Sequence, residues 1–311
     1  MSDIVMGKIH DFFPRDRLFS IRDKKQVKYY SYKKEYHKYF INAMRHKTVF
    51  VKFNTLEKTK TIRNVPASTI DILFLITYST RKGSRTIFSD EEKKNDIKEL
   101  INEKRYKMFI DLELTMPPYN ETKRFYPEIL QIGCVIVDEE DNIVNYYTNY
   151  VKTNHPVSYR TYRFLSLNPE ELDESISYEE FYNDYKELIE VYNPIVYVWG
   201  ENDIHALNNS IKYHSLPEIK ATYRDLLGIH TDYFHFKSFP GLFSALKVYK
   251  NINATQVHHA LTDAQATKEV FDGFKAYING ESTINPYDMI KQVEVSDETV
   301  TETSNITNQD E

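Results

Sequence analysis

Residues 107–114 read KMFIDLEL. Met108, Phe109, Ile110, Leu112 and Leu114 mark a buried strand, interrupted by two acids, Asp111 and Glu113. Residues two apart on a strand point to the same face. Two carboxylates on one face of a central strand repel each other and lose hydration, and a divalent cation is the usual remedy. Taken alone, the pair is a weak signal, and an exposed strand end explains it better.

The segments that follow supply a domain for that strand. EILQIGCVIVD (128–138) is a second buried strand and IVNYYTNYVK (143–152) a third, joined by a turn at 139–142. EEFYNDYKELIEVY (179–192) is an amphipathic helix. IVYVWG (195–200) is a short buried strand with a helix from about Asn202, and ATYRDLL (221–227) is a candidate fifth strand. LFSALKVYK (242–250) and LTDAQATKEVFDGFKAYI (261–278) are helices. Three strands in hairpin succession, then alternating helix and strand, predict an α/β domain over 106–280 with a mixed sheet and helices on both faces. The single cysteine, Cys134, lies in the apolar run ILQIGCVIV, which excludes a disulfide framework and predicts an inert core thiol.

Two further sites carry chemistry-bearing residues. Asp203, in VYVWGENDIHAL, falls in the first turn of a helix just after a buried strand, where α/β sheets place their sites. In VHHALTDAQATKEVF, Asp263 opens an amphipathic helix and His258 stands five residues before it; on local grounds the adjacent His259 is an equal candidate. The order Asp-x-Glu, Asp, His-x4-Asp suits two-metal hydrolysis, in which one cation generates hydroxide and the other stabilises the leaving 3′ oxygen. Oxygen ligands favour two Mg²⁺ or Mn²⁺ ions over zinc. A neutral histidine near the water would serve as general base.

In these motifs the region 106–280 resembles the DEDDh branch of 3′→5′ exonucleases, which share the ribonuclease H-like fold. FIDLELTM (109–116) is similar to the family's first motif, PEILQIG (127–133) to the strand after it, WGENDIHAL (199–207) to the second and HHALTDA (258–264) to the third. The resemblance implies a five-stranded mixed sheet and metal binding by Asp111, Glu113, Asp203 and Asp263. It also selects His258 over His259 as the residue that orients or deprotonates the water. Proofreading members have Thr directly after the Glu. Here Leu114 intervenes before Thr115, as in the exoribonuclease branch that includes histone messenger RNA exonucleases and a bacterial sporulation-inhibitor family. By the same resemblance Leu112, Leu114 and Thr115 contact the terminal nucleotide and RNA is favoured over DNA; many relatives in this fold are homodimers, and the sequence leaves the oligomeric state open.

The first part of the chain lies outside that resemblance. Residues 1–78 read as three strands (IVMGKIHDF, RLFSIRD, QVKYYSY), a helix (EYHKYFINAM) and two strands (TVFVKF, STIDILFLI), the element order of an OB-fold. GKIHDFFPRDRLFSI also resembles the opening of a cold-shock domain. Lys8, Phe12, Arg15, Arg17, Phe19, Lys28 and Tyr30 interleave cations with rings, as a stacking platform for single-stranded nucleic acid requires. Residues 79–105 read as a basic linker and a charged helix that Ser89 and Glu92 cap, and 281–311 as an acidic disordered tail.

The net charge of −6 hides an asymmetry: residues 1–105 hold 24 Lys and Arg against 13 Asp and Glu, the remainder 16 against 33. A basic module would attract a polyanion that an acidic one repels in the absence of cations. The sequence has no phosphate-loop, nucleophile-elbow or H-E-x-x-H motif. It shows no leader or membrane-spanning stretch, so the expectation is a cytoplasmic protein without a membrane partner. The rival readings are a DNA exonuclease for repair or proofreading, and a catalytically silent regulatory binding protein on the same fold.

Overall fold

The computed structural model describes residues 4–24, 26–119, 125–252 and 258–290. It divides into two compact units, 1–97 and 98–311.

The first unit is a β-barrel. β1 (Ile4–Phe13), β2 (Leu18–Asp23) and β3 (Gln26–Ser31) form an antiparallel meander, followed by α1 (His37–Ala43), β4 (Val49–Ile62), β5 (Val65–Thr80) and β6 (Gly83–Ser89). The order β3-β2-β1-β4-β5-β6 is closed by a parallel β3–β5 pairing, with Tyr29 opposite Ala67 and Ser31 opposite Thr69. The small β-rich unit is therefore present with OB-like connectivity, and it carries one strand more than expected. Residues 79–88 are not a linker: Thr80 pairs with Gly83 and Tyr78 with Arg85, and Ile76 faces Phe88, which is buried. Their polar composition reflects an exposed hairpin tip, with Gly83 at φ +122°. β4 and β5 likewise extend past the core as a polar ribbon, turned at Arg63 and Asn64, both with positive φ.

The barrel core is aromatic. The Phe19 and Phe40 rings lie 5.2 Å apart, Tyr32 and Phe40 4.2 Å, and Tyr30 and Phe53 4.9 Å. This corrects the stacking platform: Phe19 is fully buried, Tyr30 is 5% exposed, and Phe12 packs on Tyr32 and Phe40. A barrel this small must fill its interior with side chains, and these rings do so. Lys8, Arg15, Arg17 and Lys28 remain exposed.

α2 (Asp90–Ile101) leads into the second unit, where Glu92 N–H donates to Ser89 Oγ at its start. Its sheet comprises β7 (Lys107–Leu114), β8 (Ile129–Val137), β9 (Ile143–Tyr150), β10 (Ile195–Val198) and β11 (Thr222–Asp225), in the order β11-β10-β7-β8-β9. β7, β8 and β9 are antiparallel, whereas β10 runs parallel to β7 and β11 to β10. This is the mixed five-stranded ribonuclease H-like sheet. The helices are α3 (Tyr159–Leu165), α4 (Tyr178–Tyr192), α5 (Asn202–Tyr213), α6 (Leu226–Phe234), α7 (Leu242–Lys250) and α8 (Ala260–Ile278). α3 and α6 were not anticipated.

Strand parity assigns the two faces. Met108, Ile110 and Leu112 share a core with Phe181, Tyr185 and Ile189 of α4 and Leu207 and Ile211 of α5. Phe109 turns the other way, onto Tyr197 and Phe271 of α8, so Asp111 and Glu113 share the α8 side. The far end of β7 is anchored by charge. Lys107 is fully buried, and its Nζ lies 2.7 Å from Asp141 Oδ1, while Lys275 of α8 pairs with Asp141 Oδ2. Residues 281–290, expected as the start of a disordered tail, instead close onto the domain: Met289 is fully buried and Tyr287 meets Phe236. Met289 and Tyr287 supply apolar anchors that the acidic composition masks. The rest of that tail lies outside the described residues.

Candidate active site

Three elements converge on one point. β7 carries Asp111 and Glu113 toward its end; Asp203 is the second residue of α5; His259 caps α8, with Asp263 one turn in and His258 just before the cap. Ligating atoms of Glu113, His258 and Asp263 all lie within 4.8 Å of one another. The main-chain N–H of Leu112 reaches the Asp203 carboxylate, which ties α5 to the end of β7.

Electrostatics reports the same convergence. Burial, then the charges of Asp203, Asp263 and Glu113, hold Asp111 well above the usual carboxylate range. Burial, then Asp263 and Asp203, raises Glu113 to about 7. Asp203 is also lifted to about 7, by burial first, against the hydrogen bond from Leu112 N–H. Among the described residues no Lys or Arg forms an ion pair with Asp111, Glu113 or Asp203. A largely buried cluster of four carboxylates and one imidazole concentrates negative charge, and its donors are mostly the hard oxygens that Mg²⁺ and Mn²⁺ prefer. The residues therefore fit divalent cations.

β8 supplies the support. Gln131 sits opposite Glu113 and Gly133 opposite Asp111. Gln131 Oε1 accepts from Ala260 N–H at 3.1 Å, and its Nε2 lies 2.9 Å from His259 Nε2. His259 is thus engaged in latching α8 to the sheet, and His258 is the histidine at the carboxylates. Gly133 lets the first turn of α8 approach: a Cβ there would stand 2.1 Å from the Ala260 carbonyl carbon. A glycine inside an apolar strand is itself the signal of a backbone approach. Asp225, at the end of β11, accepts from Gly200 N–H at 2.9 Å and fixes the turn that delivers Asp203. No sequence motif pointed to Asp225 or Gln131 in these roles.

The three residues expected to contact the terminal nucleotide are packed as follows. Leu112 is buried in the α4/α5 core and Leu114 packs against it. Thr115 is buried, its Oγ1 accepting from Glu128 N–H at 2.9 Å. Leu112 and Leu114 thus lie on the opposite parity from Asp111 and Glu113. A second histidine, His230, is fully buried and held near 4 by desolvation, bonded to Leu226 O and Tyr249 Oη; it is a core residue.

A family profile described as exonuclease, of the RNase T type, matches residues 108–271. The chain belongs to this exonuclease family, in its DEDDh 3′→5′ branch. As such it is a metal-dependent exonuclease. A probable 3′→5′ exonuclease, KapD of Bacillus subtilis, is 27% identical over 168 residues, covering 53% of this chain and 82% of that protein. Among solved structures, the nuclease domain of the DEDDh member 3′hExo bound to rAMP is 18% identical with a TM-score of 0.47, covering 58% of this chain and 96% of that one. E. coli exonuclease I in complex with a dT13 oligonucleotide is 15% identical with a TM-score of 0.42, covering 53% and 39%. The matched span 108–271 contains all five of the converging residues and none of the barrel. No helix among the described residues is long and apolar enough to cross a membrane.

The barrel has a cleft of its own. About 350 Å³ in volume, it is lined by Arg17, Lys33, Lys34 and Lys60 with one acid, Asp16, and by Ser31 and Thr69, which share a 3.0 Å hydrogen bond. Arg17 occupies the left-handed region at φ 50°.

Proposed function

We propose that this exonuclease removes nucleotides one at a time from the 3′ end of single-stranded nucleic acid, RNA in preference to DNA, with two divalent cations, Mg²⁺ or Mn²⁺. The observation that carries the reading is the meeting of Asp111, Glu113, Asp203, His258 and Asp263 from three separate elements. The preference for RNA is supported by Leu114 standing before Thr115 in the first motif.

When bound, the cations would supply a nucleophile at neutral pH and offset charge on the leaving oxygen. Asp111, Glu113, Asp203 and Asp263 would hold them. The His258 imidazole takes the proton from the attacking water. The water oxygen bonds to phosphorus, the bond from phosphorus to the 3′ oxygen breaks, the 3′ oxygen takes a proton from solvent while His258 returns its own to solvent, and the products are a nucleoside 5′-monophosphate and a strand one nucleotide shorter with a free 3′ hydroxyl. Gln131 and Asp225 act through others, the first placing α8 and the second placing the turn before Asp203. The barrel contributes affinity for the strand through the cleft at Arg17, Lys33, Lys34 and Lys60, supported by the basic charge of this part of the chain.

The test is incubation of a 5′-labelled single-stranded RNA with Mg²⁺, Mn²⁺ or EDTA, beside Asp263→Ala and a DNA oligomer of the same sequence. The expected result is a ladder shortening from the 3′ end, abolished by EDTA and by the substitution, and slower on DNA. Faster cleavage of DNA would overturn the preference. Cleavage of neither strand would overturn the enzymatic reading in favour of a binding protein.

A further inference from the structure

One edge of the exonuclease sheet is open. β9 is its outermost strand on that side. Ile176 occupies only the far end of the edge: its N–H donates to Tyr150 O, and its carbonyl accepts from Lys152 N–H, each at 2.9 Å. Main-chain groups two residues apart on a strand point the same way, so those of Thr148 and Tyr146 face outward as well. Among the described residues no strand pairs with them. The opposite edge, β11, is four residues long and ends in Arg224 and Asp225. Shortness and charge are ordinary protections of an edge. β9 has neither. Ile143–Tyr150 reads IVNYYTNY, without a charge or a proline, and Tyr146 is exposed. Its one register shift lies at the start of the strand, between the Asn145 and Ile143 pairings.

A groove runs beside this edge, between β9 and α4, about 280 Å³ in volume. Two hydrogen bonds hold its walls. Asn145 Nδ2 donates to Tyr192 Oη at 3.3 Å, and Tyr147 Oη donates to Asp184 Oδ2 at 2.9 Å. α4 therefore runs antiparallel to β9, and the groove has two chemically different ends. Asp184 stands at the Tyr147 end, with Glu187 one turn on. Exposed Val191 stands at the Asn145 end, with Leu188 between. No Lys or Arg lines the groove. The single lysine of α4, Lys186, reaches Glu190 at 3.7 Å, and among the described residues neither Asp184 nor Glu187 forms an ion pair.

We propose that β9 and α4 together form a docking site for an extended segment of a basic partner protein. The segment adds to the sheet antiparallel to β9 and exchanges main-chain hydrogen bonds with Thr148 and Tyr146, the mode in which a strand added to an open edge gains affinity from the main chain and specificity from alternate side chains. A Lys or Arg of the segment enters the groove at Asp184 and Glu187, its methylene stem against Leu188. An aliphatic side chain two residues later covers Val191. Charge selects this occupant. The two carboxylates repel the phosphates of a nucleic acid. A second copy would bring an uncharged β9 on a domain with 33 acidic against 16 basic groups from residue 106 onward. The site does not depend on the exonuclease reading.

The test uses the full chain and a fluorescein-labelled peptide, acetyl-Thr-Val-Thr-Lys-Thr-Val-Thr-amide, read by anisotropy. Saturable binding is expected. Asp184→Asn combined with Glu187→Gln should weaken it about five- to tenfold at an unchanged melting temperature, as should glutamate in place of the peptide lysine. A second arm needs no protein variant. Methylating the threonine amide nitrogens, which face β9 in an antiparallel pair, should abolish binding; methylating those of the lysine and valines, which face away, should not. Absence of saturable binding at millimolar peptide, or equal binding of the two methylated peptides, would overturn the site. So would a doubling of the chain's mass in sedimentation that Tyr146→Lys reverses, because the edge would then belong to a second copy. None of these readings involves turnover, so a chain that hydrolyses nothing would sink the exonuclease reading and leave the docking site standing.

Discussion

Gly133 lies directly beneath Ala260: a Cβ on Gly133 would stand 2.1 Å from the Ala260 carbonyl carbon and the same distance from Leu261 N. Both obstacles are main-chain atoms of the first turn of α8, so no side-chain rotation relieves them. Gly133→Ala must push the start of α8 off the sheet, and with it His258 and Asp263. The expected cost is about 1–3 kcal/mol of stability, as for overpacking elsewhere. Hydrolysis is expected to fall far more than stability does, because misplacement by about 1 Å at a reacting centre costs on the order of 100-fold. Thermal melting and hydrolysis rates of one preparation check it, and a variant that melts lower but turns over normally contradicts it.

The carboxylate cluster should make the metal-free protein less stable as pH rises. Glu113 and Asp203 each titrate near 7 in the folded chain, above the ordinary carboxyl range. A folded-state pKa raised above its unfolded value gives stability that is complete below the unfolded pKa, near 4, and is lost as pH rises through about 7. In EDTA the melting temperature should therefore decline between pH 5 and pH 8, and Mn²⁺ at pH 8 should restore it by binding the folded state. Asp203→Asn removes one repelling charge. It should raise the metal-free melting temperature at pH 8 by roughly 2–5 °C while abolishing hydrolysis. No gain in stability from this substitution at pH 8 would refute the account.

The adjacent histidines should separate cleanly. His258 belongs to the carboxylate cluster, whereas His259 faces Gln131. His258→Ala should lower kcat by about 10²–10⁴-fold, the usual contribution of a general base, with little change in melting temperature. His259→Ala should act mainly on stability, through the latch on α8. Equal loss of kcat in the two variants, with unchanged melting, would mean that the latch is not their difference.

The pair also shows what could be read from the sequence. Alternation in KMFIDLEL put Asp111 and Glu113 on one face, and the apolar period after Asp263 placed that residue at a helix start; both follow from local periodicity. Periodicity could not choose between neighbouring histidines, because the partner that occupies His259 comes from a strand 128 residues away. The barrel aromatics were misread for a related reason. In a small closed sheet the alternation that marks an inward face is the same one that would mark a stacking face, and only closure through the β3–β5 pairing turns Phe19 and Tyr30 inward. α3 has too few residues for a helical period to register.

Lys107 is the residue least expected from composition. It heads the central strand and is fully buried, with Asp141 at the β8–β9 turn as its partner and Lys275 of α8 on the other carboxylate oxygen. Removing the shared acid leaves two cations facing each other, one with no access to water. Asp141→Ala should cost about 3–5 kcal/mol, the range for breaking a buried pair. Lys107→Met with Asp141 intact should cost less, since Lys275 still pairs with the acid. Urea unfolding of both variants decides the order, and equal losses would show that burial of Lys107 is not the cause.

The barrel cleft makes a prediction about salt. Arg17, Lys33, Lys34 and Lys60 line one cleft together with Asp16, and Arg17 holds a left-handed backbone conformation that glycine or asparagine would adopt more easily. Each cation that neutralises a phosphate adds about 0.7 to the slope of log affinity against log salt for a single strand. Arg17→Glu with Lys60→Glu should therefore weaken binding of a single-stranded 20-mer at low salt and flatten that slope by roughly 1–2. Hydrolysis of a dinucleotide, too short to need remote affinity, should keep its rate. Because both side chains are exposed, the variant should melt as the parent does, so a loss of affinity reports on binding rather than folding. An unchanged slope would remove the barrel from substrate capture and leave the strand to be held by the exonuclease unit alone.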